Sequence, residues 1–251
     1  MNTKLKTLAM AVVGLVGFGA AGAAMAQCPA TLSPPWTTTV TLSGGTAVSA
    51  PGGLDGTACK LNVAITSSTS SVAGVIDNTP ANETRYRFQF LVDASALGTF
   101  GATDAVVFFN ANAAVPNVAG GGRRQIFTVG LAPGSAGGKR LVLVASKGGG
   151  FPHRVVASTT DLVAGVNRIE FDLKIGAGAA GELKYWINAP AGTTEGAATG
   201  TIANLDNAGW VGVDAASLAL SAATPAFRTA HAGQIVSFDT FDSRRQTYIG
   251  H

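Results

Sequence analysis

The sequence predicts an all-β protein in which two antiparallel sheets pack face to face. Short runs of alternating or β-branched residues recur along the chain. Breaks rich in glycine, proline or serine separate these runs roughly every eight to twelve residues. Apolar residues nowhere keep helical spacing for three turns. The 33 glycines and a charged content of only 12% are typical of a turn-rich β protein. About a dozen strands in one domain, residues 27–251, favour two packed sheets over a small barrel.

Residues 1–26 are predicted to be a cleaved signal peptide. A positive start with Lys4 and Lys6 precedes an apolar run, and residues 24–26 (Ala-Met-Ala) fit the small-x-small cleavage pattern. A transmembrane anchor is the alternative, but the run is short, rich in glycine and followed by no basic flank. We therefore expect a secreted or periplasmic mature chain without a membrane span.

Loss of this leader changes the charge of the protein. Of the 17 Lys and Arg residues, Lys4 and Lys6 are removed with the leader. The remaining basic residues nearly balance the 14 acidic residues, so the net charge of the mature chain is close to zero. No basic patch of the kind that nucleic acid requires is left. The sequence therefore excludes DNA or RNA as a partner.

Cys28 and Cys59 are the two cysteines of the chain, and both lie in the predicted exported part. In an oxidising compartment they most simply form a disulfide bond. Two free buried thiols are one alternative. Lipid attachment at Cys28 is another, although it needs a small residue where Gln27 stands.

The first four predicted strands are β-branched or alternating runs that end at turns. They cover residues 36–43, 46–50, 58–66 and 72–76. Gly44-Gly45 and the Pro51-Gly52-Gly53 run separate the first three, and the polar run 67–71 precedes the fourth. Glycine, proline and serine favour such turns for conformational reasons.

Residues 85–92 form the clearest strand, with one apolar and one polar face. The apolar face carries Tyr86, Phe88, Phe90 and Val92, and the polar face carries Arg85, Arg87 and Gln89. The next strand, 104–111, is apolar on both sides, which predicts a central position in its sheet. Further strands are predicted at 123–132, 139–146, 151–158, 166–175 and 182–188, with weaker ones at 199–203, 209–213 and 218–221.

The terminal stretch, 231–250, contains an alternating strand that we expect to complete a sheet. Val236 and Phe238 point to one face. Phe241 breaks the parity with Phe238, which predicts either a bulge near Thr240 or burial of both faces.

Several of these strands resemble those of a known fold family. The segments RYRFQF and DAVVFFNA, and the pair VNRIEFDLKI and GELKYWIN, are similar to strands of laminin-G-like domains, a branch of the concanavalin A-type jelly rolls. The closing VSFDTFDSRRQTYIG is similar to the end of a group of secreted bacterial proteins with that fold, mostly without assigned functions. The resemblance implies two curved sheets with a glycan or protein ligand on the concave face or rim, and calcium there in several members.

Glu170 and Asp172 share one face of a predicted strand, as two carboxylates of a glycosidase would. Jelly-roll glucanases have a third acid on such a strand, but here the next position on that face is Lys174. With Arg168, these residues form an alternating ladder of charges. We therefore expect a solvated face and no catalytic residue there.

No metal or cofactor site is predicted, although calcium stays possible without a motif to support it. Asp206-Asn207 with Asp214, and Asp239 with Asp242, supply oxygen atoms, but Asp and Asn are equally expected in turns, and Asp242 beside Arg244 and Arg245 favours an ion pair. His153, His231 and His251 show no zinc-binding spacing.

Candidate ligand-binding residues are Trp186, Arg123, His153 and Arg154. Trp186 and Tyr185 are neighbours on a strand, so one ring faces the core and the other faces out. If Trp186 faces out, it forms an aromatic platform for a sugar, and the other three lie on strands that could neighbour it. The preferred interpretation is the reverse, with Trp186 in the core between the sheets.

The sequence thus predicts a monomeric, disulfide-bonded sandwich without catalytic residues. Its main predicted function is a non-catalytic binding module for an extracellular polysaccharide or a surface protein. Two alternatives stay open: a glycan-active hydrolase of the jelly-roll class, and a passive structural component of an envelope or matrix.

Overall fold

A computed structural model describes residues 28, 36–42, 44–114, 123–148, 154–190, 194–244 and 246–249. The predicted signal peptide, His153 and His251 lie outside the described residues.

Within that part of the chain, fourteen strands and one short α-helix account for the regular structure, apart from three single 3₁₀ turns. The strands are β1 Thr38–Leu42, β2 Thr46–Pro51, β3 Cys59–Ala64, β4 Val72–Asp77, β5 Arg85–Asp93, β6 Val106–Ala114, β7 Arg123–Pro133, β8 Lys139–Ser146, β9 Arg154–Asp161, β10 Val166–Lys174, β11 Glu182–Ile187, β12 Gly200–Ile202, β13 Ala215–Ala223 and β14 Ile235–Arg244; the helix α1 is Pro225–Ala230.

The strands form two seven-stranded antiparallel sheets, which confirms the predicted sandwich. The first sheet has the order β1-β4-β13-β6-β7-β8-β9, and the second has the order β12-β11-β10-β5-β14-β3-β2. Strand β6 is central in the first sheet, as its two apolar faces predict. Strand β14 lies inside the second sheet, where it pairs with β5 and β3.

Two elements differ from the sequence prediction. The predicted strand 209–213 is a 3₁₀ turn, Ala208–Trp210, followed by Val211 at a φ of 61°. The helix α1 has six residues, too few to show a helical period, and begins where the hydroxyl of Thr224 accepts a hydrogen bond from the amide of Phe227. Both elements are shorter than the patterns that reveal secondary structure.

The core between the sheets is built around aromatic rings. Phe88 of β5 lies 4.2 Å from Phe109 of the opposite sheet and 5.1 Å from Phe171 of β10, measured between ring centroids. All three side chains have no exposed surface. Because β5 alternates strictly, this packing directs its arginines to the other face.

The predicted bulge in β14 is confirmed. The register with β5 shifts between Asp239 and Asp242, and Thr240 has a φ of 44°. The extra residue returns Phe241 to the inner face, where its ring lies 4.4 Å from Trp36.

The disulfide bond between Cys28 and Cys59 is also confirmed, with Cα atoms 5.6 Å apart. It ties the segment before β1 to the start of β3. Closing a loop of 31 residues restricts the unfolded chain and contributes roughly 3 kcal/mol to stability.

Truncation of the central core ring should destabilise the fold strongly. Phe88→Ala is expected to lower the free energy of unfolding by about 3–5 kcal/mol, because the cavity opens between two rigid sheets. Val156→Ala on β9, where the side chain is 64% exposed, should change it by less than about 0.5 kcal/mol. Denaturant titration measures both, and equal losses in the two variants would contradict the assignment of the core.

Candidate active site

The outer face of the second sheet carries charged residues that the sequence placed on neighbouring strands. Arg85, Arg87 and Gln89 of β5 point outwards because the residues between them enter the core. Glu170 of β10 lies opposite Gln89, and Asp172 lies opposite Arg87. Cross-strand neighbours on one face are close enough for their side chains to interact.

Arg87 is the centre of this face, and three carboxylates bind it. Its Nε donates to Oε1 of Glu170 and its Nη1 donates to Oε2 of Glu195, the latter at 2.7 Å. Oδ2 of Asp172 lies 3.6 Å from Nη1. The side chains of Arg87, Glu170 and Asp172 are 0%, 2% and 1% exposed, whereas Glu195 is 36% exposed.

Two aromatic rings complete what we call the Arg87 cluster: Arg87, Glu170, Asp172, Glu195, Trp186 and Tyr248. Cζ of Arg87 lies 4.5 Å from the ring centroid of Trp186 and 4.8 Å from that of Tyr248. Both distances are within the range of cation–π attraction. Arginine suits this position because its planar guanidinium stacks on rings while it binds carboxylates.

Two surface segments cover the cluster. The loop 194–199 brings Glu195, and its Gly196 carbonyl accepts a hydrogen bond of 3.1 Å from Nε1 of Trp186. The segment 246–249 brings Tyr248, and the amide of Ile249 lies 3.5 Å from Oε1 of Glu170 as a donor. These contacts bury charges that would otherwise face solvent.

Asp172 is held by a second arginine. Nε and Nη2 of Arg85 donate to its two carboxylate oxygens at 2.9 and 2.6 Å, a bidentate pair. These hydrogen bonds raise the pKa of Arg85 above its ordinary value, and burial opposes them in part. Asp172 is therefore a fixed structural anion, with both oxygens occupied.

Two polar atoms on the outward face of β5 lack a protein partner within the described residues. They are Nη2 of Arg87, a donor, and Oε1 of Gln89, an acceptor, and both are buried. The two residues lie two positions apart on the outward face. The cluster thus retains one unused donor, and Gln89 beside it provides one unused acceptor for a ligand.

The predicted solvated ladder on β10 is wrong. Glu170 and Asp172 are buried because residues distant in sequence, Glu195 and Tyr248, fold over them. The alternating charges along β10 give no indication that other segments bury them. Its outer members, Arg168 and Lys174, are partly exposed and form the ion pairs with Asp55 and Glu182 that a solvated face predicts.

The preferred interpretation of Trp186 is wrong as well. Tyr185 packs against the core, whereas Trp186 points to the outer face opposite Glu170. Trp186 is nevertheless only 3% exposed, because the cluster covers it.

The other predicted ligand-binding residues do not lie beside Trp186 in its sheet. Arg123 begins β7 and Arg154 begins β9, both in the first sheet, whereas Trp186 is on β11 of the second. His153 falls outside the described residues. The neighbours of β11 are β10 and β12, so the strand adjacency that we expected is not formed. A binding role for these residues stays a prediction.

The candidate calcium ligands serve the backbone. Oδ1 of Asp206 accepts from the amide of Gly178, and Oδ1 of Asn207 accepts from that of Gly176. Asp242 forms the expected ion pair with Arg244, at 3.1 Å. Among the residues that the structure describes, no group of three or more His, Cys, Asp or Glu side chains is arranged to hold a metal ion.

None of the helices in the described parts of the chain has the length and apolarity needed to span a membrane.

The fold is shared with known polysaccharide lyases. An endo-β-1,4-glucuronan lyase from the fungus Trichoderma reesei is 12% identical, with a TM-score of 0.61 over 85% of this chain and 92% of that one. An alginate lyase from Pseudomonas aeruginosa is 7% identical, with a TM-score of 0.52 over 74% and 83%. Neither a family model nor a curated protein matches the sequence. The resemblance to concanavalin A-like jelly rolls is therefore confirmed at the level of the fold.

These neighbours overturn the main functional prediction. A non-catalytic binding module is wrong as the first interpretation, because both of these solved structures are polysaccharide lyases. They favour the glycan-active enzyme that the sequence left as an alternative. Identities of 12% and 7% show a shared fold and do not show a shared activity.

Replacement of Arg87 should lower the stability of the protein, because it leaves buried carboxylates without their partner. Arg87→Met is expected to destabilise the protein by about 3–5 kcal/mol, because Glu170 and Asp172 keep their burial and lose a partner. Arg140→Met, at an exposed position of β8, is the matched control and should cost less than about 0.5 kcal/mol. Denaturant titration near neutral pH compares them, and an Arg87→Met protein as stable as the control would refute the network.

Proposed function

We propose that this protein is a glycan-active enzyme that cleaves a uronic acid-containing polysaccharide at the Arg87 cluster. The observation that carries the proposal is a buried arginine, bound by three carboxylates and two rings, in the middle of one face of a jelly roll. The two lyases of the same fold support a glycan as the substrate.

The preference for an acidic sugar rests on the position of Glu195. This carboxylate binds Nη1 of Arg87, is 36% exposed and comes from a surface loop, whereas Nη2 has no protein partner. Displacement of Glu195 would free Nη1 beside Nη2, and two parallel N–H groups form the fork that recognises a carboxylate. Glu195 thus stands where the carboxylate of a uronic acid would bind.

Such binding would prepare the sugar for β-elimination. A guanidinium that neutralises the carboxylate makes the proton on the adjacent carbon easier to remove. A base takes that proton, the bond between the neighbouring carbon and the glycosidic oxygen breaks, and a double bond forms between the two carbons. The departing oxygen leaves with the electron pair of the broken bond and takes up a proton from an acid or from water. Once Glu195 is displaced, Tyr248 is the remaining titratable group of the cluster that is not fully buried. The rings of Trp186 and Tyr248 offer surfaces on which a sugar can stack.

Hydrolysis is the second candidate reaction, and the same carboxylates favour it. Glycosidases use two carboxylates, one of which donates a proton to the leaving oxygen. Glu170 and Glu195 bind adjacent nitrogens of one guanidinium and so lie close together.

One experiment tests cleavage and separates the two reactions. The mature protein is incubated with polyglucuronate, alginate, pectate and neutral glucans, and the products are followed by reducing ends and by ultraviolet absorbance. Both signals with an acidic glycan are the expected result, since elimination creates an absorbing double bond. Reducing ends without absorbance would assign hydrolysis, and the absence of both with every glycan would refute the proposal.

Glu195→Gln is expected to lower KM for the acidic glycan roughly fivefold, with kcat little changed. Removing the charge weakens its hold on Arg87 by about 1 kcal/mol, a value discounted because the carboxylate is partly exposed. Glu182→Gln, at the start of β11 in the same sheet, is the matched control and should leave KM unchanged. A collapse of kcat in Glu195→Gln would show instead that Glu195 transfers a proton during cleavage.

Other features stay predictions: the cleaved signal peptide, the secreted or periplasmic location, the monomeric state and the absence of a cofactor. The narrower laminin-G-like assignment is also still a prediction, and so is a surface protein as partner.

A further inference from the structure

A second buried arginine, Arg228 of α1, lies outside the Arg87 cluster and has unused hydrogen-bond donors. The residue is 1% exposed. Its Nη2 donates to the carbonyl oxygen of Ser71 at 2.8 Å. Its Nε and Nη1 are buried and have no protein partner within the described residues. A buried N–H group without an acceptor is costly, so each one calls for an explanation.

Arg228 also has no counter-ion among the residues that the structure describes. None of the ion pairs between residues that the structure describes includes it, whereas Arg87 contacts three carboxylates. Burial lowers the pKa of Arg228 below its ordinary value. A guanidinium nevertheless keeps its proton in proteins, so the positive charge remains. Burial of an uncompensated cation is among the most expensive arrangements in a folded chain.

Two hydroxyl groups of the turn that Arg228 contacts have no partner either within the described residues. Ser71 has no exposed surface, and its Oγ has no partner although its carbonyl oxygen accepts from Arg228. Oγ1 of Thr66, at the other end of the same turn, is another buried oxygen without a partner. Hydroxyl groups can turn their protons towards an acceptor. The region therefore combines a positive charge with unused donors from a guanidinium and a hydroxyl.

Any ligand beside these donors must be small, because the packing around Ser71 is close. A Cβ atom on Gly45 would lie 2.9 Å from Oγ of Ser71 and 2.3 Å from the carbonyl oxygen of Val72, so the backbone packs closely there. Arg228 and Ser71 have almost no exposed surface, which leaves no opening for an organic acid.

We infer that Arg228 and Ser71 form a binding site for a small inorganic anion, a halide such as chloride. The ion would accept from Nε or Nη1 of Arg228 and from the Ser71 hydroxyl, and would compensate the charge. This site does not depend on the proposed glycan cleavage. Its role is to stabilise the packing of α1 against the turn before β4.

Thermal unfolding of the mature protein in halide salts tests the site. Chloride and bromide are each titrated against gluconate at constant ionic strength. Halide binding should raise Tm by roughly 3–5 °C for each tenfold increase above the dissociation constant, since it stabilises the folded state alone. Identical curves in halide and gluconate would overturn the inference.

Two variants locate the effect. Arg228→Met should lose the halide dependence, whereas Arg140→Met, at an exposed arginine, should keep it. If Arg228→Met does not fold, crystals of the wild-type protein grown in bromide decide by anomalous scattering. A bromide peak within hydrogen-bond distance of Arg228 supports the site. A water molecule there without an anomalous peak, or a halide response unchanged in a folded Arg228→Met, refutes it.

Discussion

Burial of the Arg87 guanidinium is the constraint on which the outer face of this sandwich depends. A charge with no exposed surface must be compensated within the protein, because desolvation otherwise costs several kcal/mol. Strand β10 supplies Glu170 and Asp172, and the loop 194–199 supplies Glu195. The same arginine also packs against the rings of Trp186 and Tyr248. One buried cation therefore organises a strand, a loop and the segment after the last strand.

The three carboxylates differ in how easily they can be exchanged. Asp172 is held bidentately by Arg85, and Glu170 is buried and accepts from Arg87. Glu195 is partly exposed and belongs to a connecting loop, so water competes for its contact. A glycan carboxylate that replaces Glu195 would keep the charge balance of the cluster. This difference is the physical basis for the proposed preference for acidic sugars.

The positive charges of the two buried arginines are compensated in different ways. Arg87 lies where an adjacent strand can place acids opposite it, and its charge is neutralised by side chains. Arg228 lies on a helix of six residues beside a turn, and the one hydrogen-bond partner of its guanidinium within the described residues is a carbonyl oxygen. A carbonyl satisfies a donor without neutralising the charge, which is why a bound anion is the compensation that we infer.

Local periodicity by itself determined most of the fold. The alternation of β5, the parity break at Phe241 and the breaks between strands predicted the sandwich, the bulge at Thr240 and nearly all strand positions. The cysteine count and the predicted export of the chain together predicted the disulfide bond. These features depend on neighbouring residues and on backbone geometry, so they can be read along the chain.

Tertiary structure alone decided the burial of the acids on β10 and of Trp186. Glu195 and Tyr248 pack over these side chains, and no residue pattern on the strands predicts those contacts. The strand adjacency expected between Trp186 and Arg154 failed for a related reason, because their assignment to different sheets follows from strand order. Alternation shows which side chains share a face, but solvent exposure depends on whatever packs over that face, and long-range contacts determine that.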